Sequence, residues 1–91
     1  MYEPTDEEIK ADILHKLTRK RMWGGKHTSF ENIMKGYDPK LRKRIKKLSK
    51  KLIRDNLIIS HPTSYGLQIS LNPREFSTIM QIVEKFFGKQ Y

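Results

Sequence analysis

Hydrophobic positions recur along this chain with two different periods. Ile9, Ile13 and Leu17 stand at four-residue spacing with Leu14 beside them, the stripe of an amphipathic α-helix. Thr5-Asp6-Glu7-Glu8 precedes that stripe. Thr5 can cap the helix, Glu8 can return the capping-box bond, and the acids suit the positive helix end. A first helix is therefore predicted from about Asp6 to about Arg21, with Arg19, Lys20 and Arg21 at its basic end and Gly24-Gly25 breaking the chain after it. Thr28-Ser29-Phe30-Glu31 reads as a second capping box, opening a short helix with Phe30, Ile33 and Met34 on one side. Gly36 is expected to end that helix in the left-handed conformation. Asp38 then caps a third helix, with Pro39 at its first position, where a missing N–H does no harm.

Within the third helix Leu41, Ile45, Leu48 and Leu52 are spaced at four, three and four. At roughly 100° per residue they form one stripe, and Lys43, Lys46, Lys47, Lys50 and Arg54 project from the opposite side. Asp55-Asn56 stops the helix. The period then changes to that of strands: Leu57 to Ser60 and Leu67 to Leu71 are rich in β-formers, and Pro62 to Gly66 supplies turn chemistry. A β-hairpin with a five- to six-residue loop is predicted. Asn72-Pro73-Arg74-Glu75 restarts a helix, with Asn72 as its cap and Glu75 closing the box. Its stripe is Phe76, Ile79, Met80, Val83 and Phe87, and Gly88 ends it.

Charge changes the picture most in the third helix. The segment KLRKRIKKLSKKLIR, Lys40 to Arg54, holds nine of the nineteen Lys and Arg residues and no acid, whereas five of the ten acids lie in Met1 to Asp12. With a net charge of +9, this asymmetry argues for an anionic partner, most often nucleic acid. The chain has the length of a single small domain, and 36% apolar residues suffice for a compact core. It contains no cysteine, which excludes disulfides and cysteine-zinc sites. His15, His27 and His61 show no ligand spacing, so no metal is expected. No Gly-rich phosphate loop, activated nucleophile or carboxylate cluster is legible, and neither enzymatic activity nor a cofactor is expected. No apolar run approaches the roughly 20 residues that span a bilayer. The terminus MYEPTDEEIK is the reverse of a secretory signal. A cytoplasmic protein, nucleoid-associated in a prokaryote, is expected.

The order helix, short helix, basic helix, hairpin, helix resembles the winged helix-turn-helix family of DNA-binding domains, over about residues 6 to 87. Two passages carry the resemblance. GYDPKLRKRIKKLSKKLIRDNLI is similar to a recognition helix running into a first wing strand, and HPTSYGLQISLNP to a wing tip, a return strand and the entry to a final helix. The fold class this implies is α+β, mostly helical: three helices, a hairpin wing over 57–71, and an additional C-terminal helix over 73–87. In the family a short third strand often forms around Lys26 to Thr28.

The resemblance implies that the basic helix 39–54 enters the major groove of double-stranded DNA while the wing meets an adjacent minor groove or backbone. Carried over by position, the nucleic-acid-binding set is Lys40, Lys43, Arg44, Lys46, Lys47, Lys50, Lys51 and Arg54, with Ser64 and Tyr65 on the wing and His61 and Thr63 beside them. The exposed face is nearly all Lys and Arg, whereas sequence-reading helices carry Asn, Gln, Ser or Thr as well. Strong, salt-sensitive binding with modest specificity is expected. RNA binding and a protein-interaction role are the alternatives.

In the last helix Ile82 and Phe86 widen the apolar surface to roughly 160°. Ile79, Ile82 and Phe86 are the expected homodimer contact. A chain of 91 residues leaves no separate effector domain, and no small-molecule ligand is expected.

Overall fold

Local capping accounts for where most elements begin. The computed structural model describes residues 3–89. Helix α1 spans Asp6–Arg19 and opens on the expected capping box: Glu8 N donates to Thr5 Oγ1, and Thr5 N donates to Glu8 Oε1, both at 3.1 Å. It stops two residues before the predicted Arg21. Arg21 takes a left-handed φ of 58°, its N–H donates to Thr18 O, and Met22 N donates to Leu17 O. These paired bonds close a Schellman motif, which turns Met22 and Trp23 back against the core.

Strand β1 is only Thr28–Ser29, and helix α2 follows at Phe30–Met34. The cap of α2 is therefore Ser29, whose Oγ accepts from Glu31 N at 3.1 Å, and not Thr28, which pairs with Ile69 in the sheet. Gly36 does not adopt the left-handed cap either. The chain leaves α2 through right-handed turns in which Gly36 N donates to Ile33 O and Tyr37 N to Met34 O, so no change of sign in φ is needed.

Asp38 Oδ1 accepts from Lys40 N at 2.9 Å and starts a 3₁₀ turn over Pro39–Leu41, which runs directly into α3, Arg42–Arg54. A second Schellman closure ends α3. Asn56 stands at φ 64°, Asn56 N donates to Ile53 O, and Leu57 N donates to Leu52 O. The hairpin comprises β2, Ile58–Thr63, and β3, Gly66–Leu71. The predicted long loop shrinks to Ser64-Tyr65, because pairing continues through Pro62 with Leu67 and Thr63 with Gly66. Pro62 is tolerated there because β2 is an edge strand: the antiparallel sheet runs β1-β3-β2. After it Asn72 caps a 3₁₀ turn at Pro73–Glu75, and α4 covers Phe76–Phe87, ending at Gly88 with φ 76°.

The fold is thus α+β and mostly helical, with four α-helices and a three-stranded sheet among the described residues. Ile13, Leu14 and Leu17 of α1 meet Ile45 and Leu52 of α3, Ile69 and Leu71 of β3, and Ile79 and Val83 of α4 in one core, all at or below 2% exposure. Ile79 is fully buried, so it cannot serve as a dimer contact. Ile82 is half-buried and packs on the same core, which leaves Phe86, at 38% exposure, as the outward member of the three. The physical reason is that α1 packs along α4 and covers the wide apolar face that sequence alone left open. Phe76 and Phe87 lie at the margin of the core: Phe76 tilts against Trp23 at 5.2 Å between ring centroids, and Phe87 stacks on His15 at 4.1 Å.

Candidate nucleic-acid interface

The buried stripe of α3 determines what its other side presents. Ile45, Leu48 and Leu52 are at most 3% exposed, and with them seated, Lys40, Lys43, Lys46, Lys47, Lys50, Lys51 and Arg54 are all exposed. None of these seven pairs with a carboxylate among the described residues. The first turn of α3 contains Arg42 and Lys43 and no acid. Cations there oppose the positive end of the helix dipole, an arrangement unfavourable for the free helix and relieved when an anion approaches.

Arg44 departs from the predicted set. Its guanidinium reaches back to the start of α1, with Nε and Nη2 each 2.8 Å from Asp6 Oδ1 and Nη2 donating to the Pro4 carbonyl at 2.8 Å. Those bonds occupy the planar fork that would otherwise read a guanine edge. Arg44 ties α3 to α1 instead. The acids near the start of the chain had been separated from the basic segment only in sequence; in space one of them neutralises it locally.

A second tie orients α3 from the turn before it. Tyr37 OH donates to Asp12 Oδ2 at 2.5 Å, and Lys16 Nζ lies 3.9 Å from the same carboxylate oxygen and 3.9 Å above the Tyr37 ring. Burial raises the Tyr37 phenol far above its ordinary pKa, and the hydrogen bond to Asp12 and its negative charge push the same way. The phenol therefore stays a neutral donor, and the α2–α3 connection stays fixed on α1.

The hairpin tip is ordered by a threonine. Thr63 Oγ1 donates to Gly66 O at 2.8 Å and accepts from Tyr65 N at 3.1 Å. Tyr65 is left 95% exposed, with Ser64 beside it. Its ring packs against nothing among the described residues.

His61 does not lie in a turn. It belongs to β2, and its ring stacks on His27 at 4.9 Å. Ser70 Oγ donates to Gly24 O at 2.9 Å, which uses its one proton, so His61 Nε2 is the donor in its 2.9 Å bond to Ser70 Oγ. His27 Nδ1 faces Gln68 Oε1 at 3.3 Å. Sequence spacing held no sign of this pair, since only the antiparallel register and the short β1 bring residues 27 and 61 together.

Two other residues escaped the sequence reading. Ile53 is half-buried on the α2-facing flank of α3, and Ser49 is buried at 3% exposure beside it. Both are legible in retrospect from the helical wheel, where they extend the stripe toward Arg42 and Lys46. Among the described residues no group of three or more His, Cys, Asp or Glu is placed to hold a metal ion, and no helix is long and apolar enough to cross a membrane. No protein-family model matches the sequence, and no curated protein or solved structure resembles it closely enough to count as a match.

Proposed function

We propose that this chain is a winged helix-turn-helix module that binds duplex DNA, as a transcriptional regulator or a less selective chromatin-associated protein. In this reading α3 enters the major groove and the β2–β3 hairpin lies along adjacent backbone or minor groove. The observation that carries it is a run of seven exposed cations, Lys40 in the turn before α3 and six on the outward side of α3, that pair with no carboxylate among the described residues. The element order and the exposed Tyr65 at the hairpin tip support it. A lysine-rich surface with Glu31 as a carboxylate at its edge gains little from its own chain and much from a polyphosphate, through counterion release. With Arg44 held by Asp6, the surface has few groups that read bases, and affinity exceeds discrimination.

Fluorescence anisotropy of a labelled mixed-sequence duplex, titrated with protein at several salt concentrations, tests this. For about six neutralised phosphates, log affinity should fall with log salt at a slope of about −5. The double variant Lys43→Ala with Lys47→Ala should bind more weakly, with a slope shallower by up to about two units. Absence of binding at low salt, or binding untouched by the double variant, would overturn the reading. Preference for a structured RNA competitor would redirect it to a ribonucleoprotein.

A further inference from the structure

Helices α1 and α4 run antiparallel, and each end of the pair carries an uncovered aromatic feature. Where α1 begins and α4 ends there is a hollow of about 250 Å³. Its walls are Ile9 from α1, Leu41 from the turn before α3, and Phe86 and Phe87 from α4, the last two 38% and 41% exposed. Glu8 and Asp12 also line it and no Lys or Arg does, in a chain of net charge +9. Lys85 Nζ lies 5.6 Å from the Phe86 ring, outside that lining. A cavity of roughly 150 Å³ already holds benzene, so the hollow has room for one aromatic ring.

At the other end, Trp23 follows α1 and Phe76 opens α4. The two rings tilt together, and Phe76 is 56% exposed. Leu71 N donates to Met22 O and Gly24 N to Leu71 O, so the loop that carries Trp23 is fixed to the sheet and Phe76 projects from a firm base. Arg74 stands two residues before Phe76, and Arg21 and Lys26 flank Trp23 in the chain. All three are exposed, and none pairs with a carboxylate among the described residues. Half-buried Glu75 is the one acid of this stretch, which leaves the aromatic knob with a net positive surround.

The two ends match in shape and in charge: a projecting ring among cations, and an aromatic-walled hollow lined by carboxylates. One chain cannot join its own two ends, because α4 holds Phe76 and Phe87 roughly 16 Å apart along its axis. A second copy can. The same two residues lie within about 20° of each other around that axis, with half-buried Met80 between them on the same side. Two copies with their α4 helices antiparallel therefore bring each Phe76 to the other's hollow. Such a twofold, self-complementary contact is the commonest way for identical chains to pair.

We propose that this chain forms a homodimer in which Phe76 of each copy enters the acid-lined hollow of the other and Arg74 meets Glu8 there. This contact replaces the Ile79, Ile82 and Phe86 surface expected from sequence. None of the seven exposed cations of the α3 surface lines the hollow, so the pairing does not draw on the proposed DNA face and is tested without DNA.

Sedimentation equilibrium of the full chain, from about 5 to about 500 µM, is the first measurement. A monomer–dimer equilibrium with Kd between roughly 1 and 100 µM is expected, the range of a small interface. Phe76→Ala should weaken it at least about tenfold, as should Leu41→Arg, which puts a cation into the hollow. Arg74→Glu, at an exposed position that the fold does not need, should weaken it while melting as the wild type does. Amide NMR then assigns the contact. Unlabelled Leu41→Arg chain, whose knob is intact, should shift Glu8, Leu41 and Phe86 of labelled Phe76→Ala chain, whose hollow is intact. Unlabelled Phe76→Ala chain should leave those signals in place. A chain that stays monomeric at the highest concentration would overturn the dimer. A dimer untouched by Phe76→Ala and Arg74→Glu, or equal shifts from both unlabelled chains, would overturn the contact.

Discussion

Tyr37 is the residue whose chemistry burial alters most. The unfolded chain ionises this tyrosine at about pH 10, whereas in the folded chain burial, with the Asp12 carboxylate beside it, keeps the proton in place. Above that pH the unfolded state binds fewer protons than the folded one. The stability due to this group is therefore complete below about pH 10 and declines as pH rises beyond it. Between about pH 8 and about pH 11 the melting temperature of the wild type should fall further than that of Tyr37→Phe, which has no phenol to ionise. At neutral pH the same variant should lose about 1 kcal/mol with the hydrogen bond. Parallel alkaline curves would show that the tie contributes nothing. Gly24 makes a different residue-scale case. It stands at φ 60°, donates to Leu71 O, and an added Cβ would lie 3.2 Å from Pro73 Cγ. Urea unfolding of Gly24→Ala should report a loss of about 1–2 kcal/mol. Gly25→Ala, with nothing within 4 Å of its added Cβ, is the control and should unfold like the wild type.

At the scale of elements, α3 is positioned by one ionic tie and used through its other charges. Arg44→Ala removes the bonds to Asp6 and Pro4 that join α3 to the start of α1. The Asp6 side chain is 59% exposed, so solvent screens the pair and the loss in stability should not exceed about 1 kcal/mol. DNA affinity should fall less for Arg44→Ala than for Lys47→Ala, since Lys47 is exposed and pairs with no carboxylate among the described residues, whereas Arg44 is already occupied. Side-by-side anisotropy titrations decide this. A larger loss for Arg44→Ala would return that guanidinium to the contact set. The hairpin shows the same division of labour: Thr63 orders the turn internally, which leaves the Tyr65 ring to the outside.

For the whole molecule, the limiting resource is a small core. A chain of this length has a total stability on the order of 5–14 kcal/mol. Ile79→Ala, at a position with 0% exposure where α4 meets the rest of the core, should cost about 2–5 kcal/mol and unfold a substantial part of the population on mild heating. Phe86→Ala, from the same apolar face of α4 but 38% exposed, should cost less than about 1 kcal/mol. Equal effects in chemical denaturation would mean that α1 does not cover α4 as described. The contrast also bears on charge. Nine excess positive charges repel one another in the free chain, and the core must hold against them until an anion binds.

Sequence by itself determined the features that depend on a few neighbouring residues. Thr5, Asp38 and Asn72 start their elements, and Asp55-Asn56 and Gly88 end theirs, because a cap is a hydrogen bond or a φ value settled within a turn. The outward placement of Lys43, Lys46, Lys47, Lys50 and Arg54 follows equally from helical periodicity once Ile45, Leu48 and Leu52 are buried. Between two similar local choices sequence has no means of deciding, which is why the capping-box pattern points to Thr28 where Ser29 is the cap, and the turn residues predict a loop longer than its two residues. Only the tertiary structure decided that Ile79 is core, that Arg44 is bound by Asp6 across 38 residues, that His27 stacks on His61, and that Ser49 is buried. Each of these depends on which distant elements pack together, and that choice is made by burial of the whole apolar surface, a sum to which no short stretch of chain holds the terms.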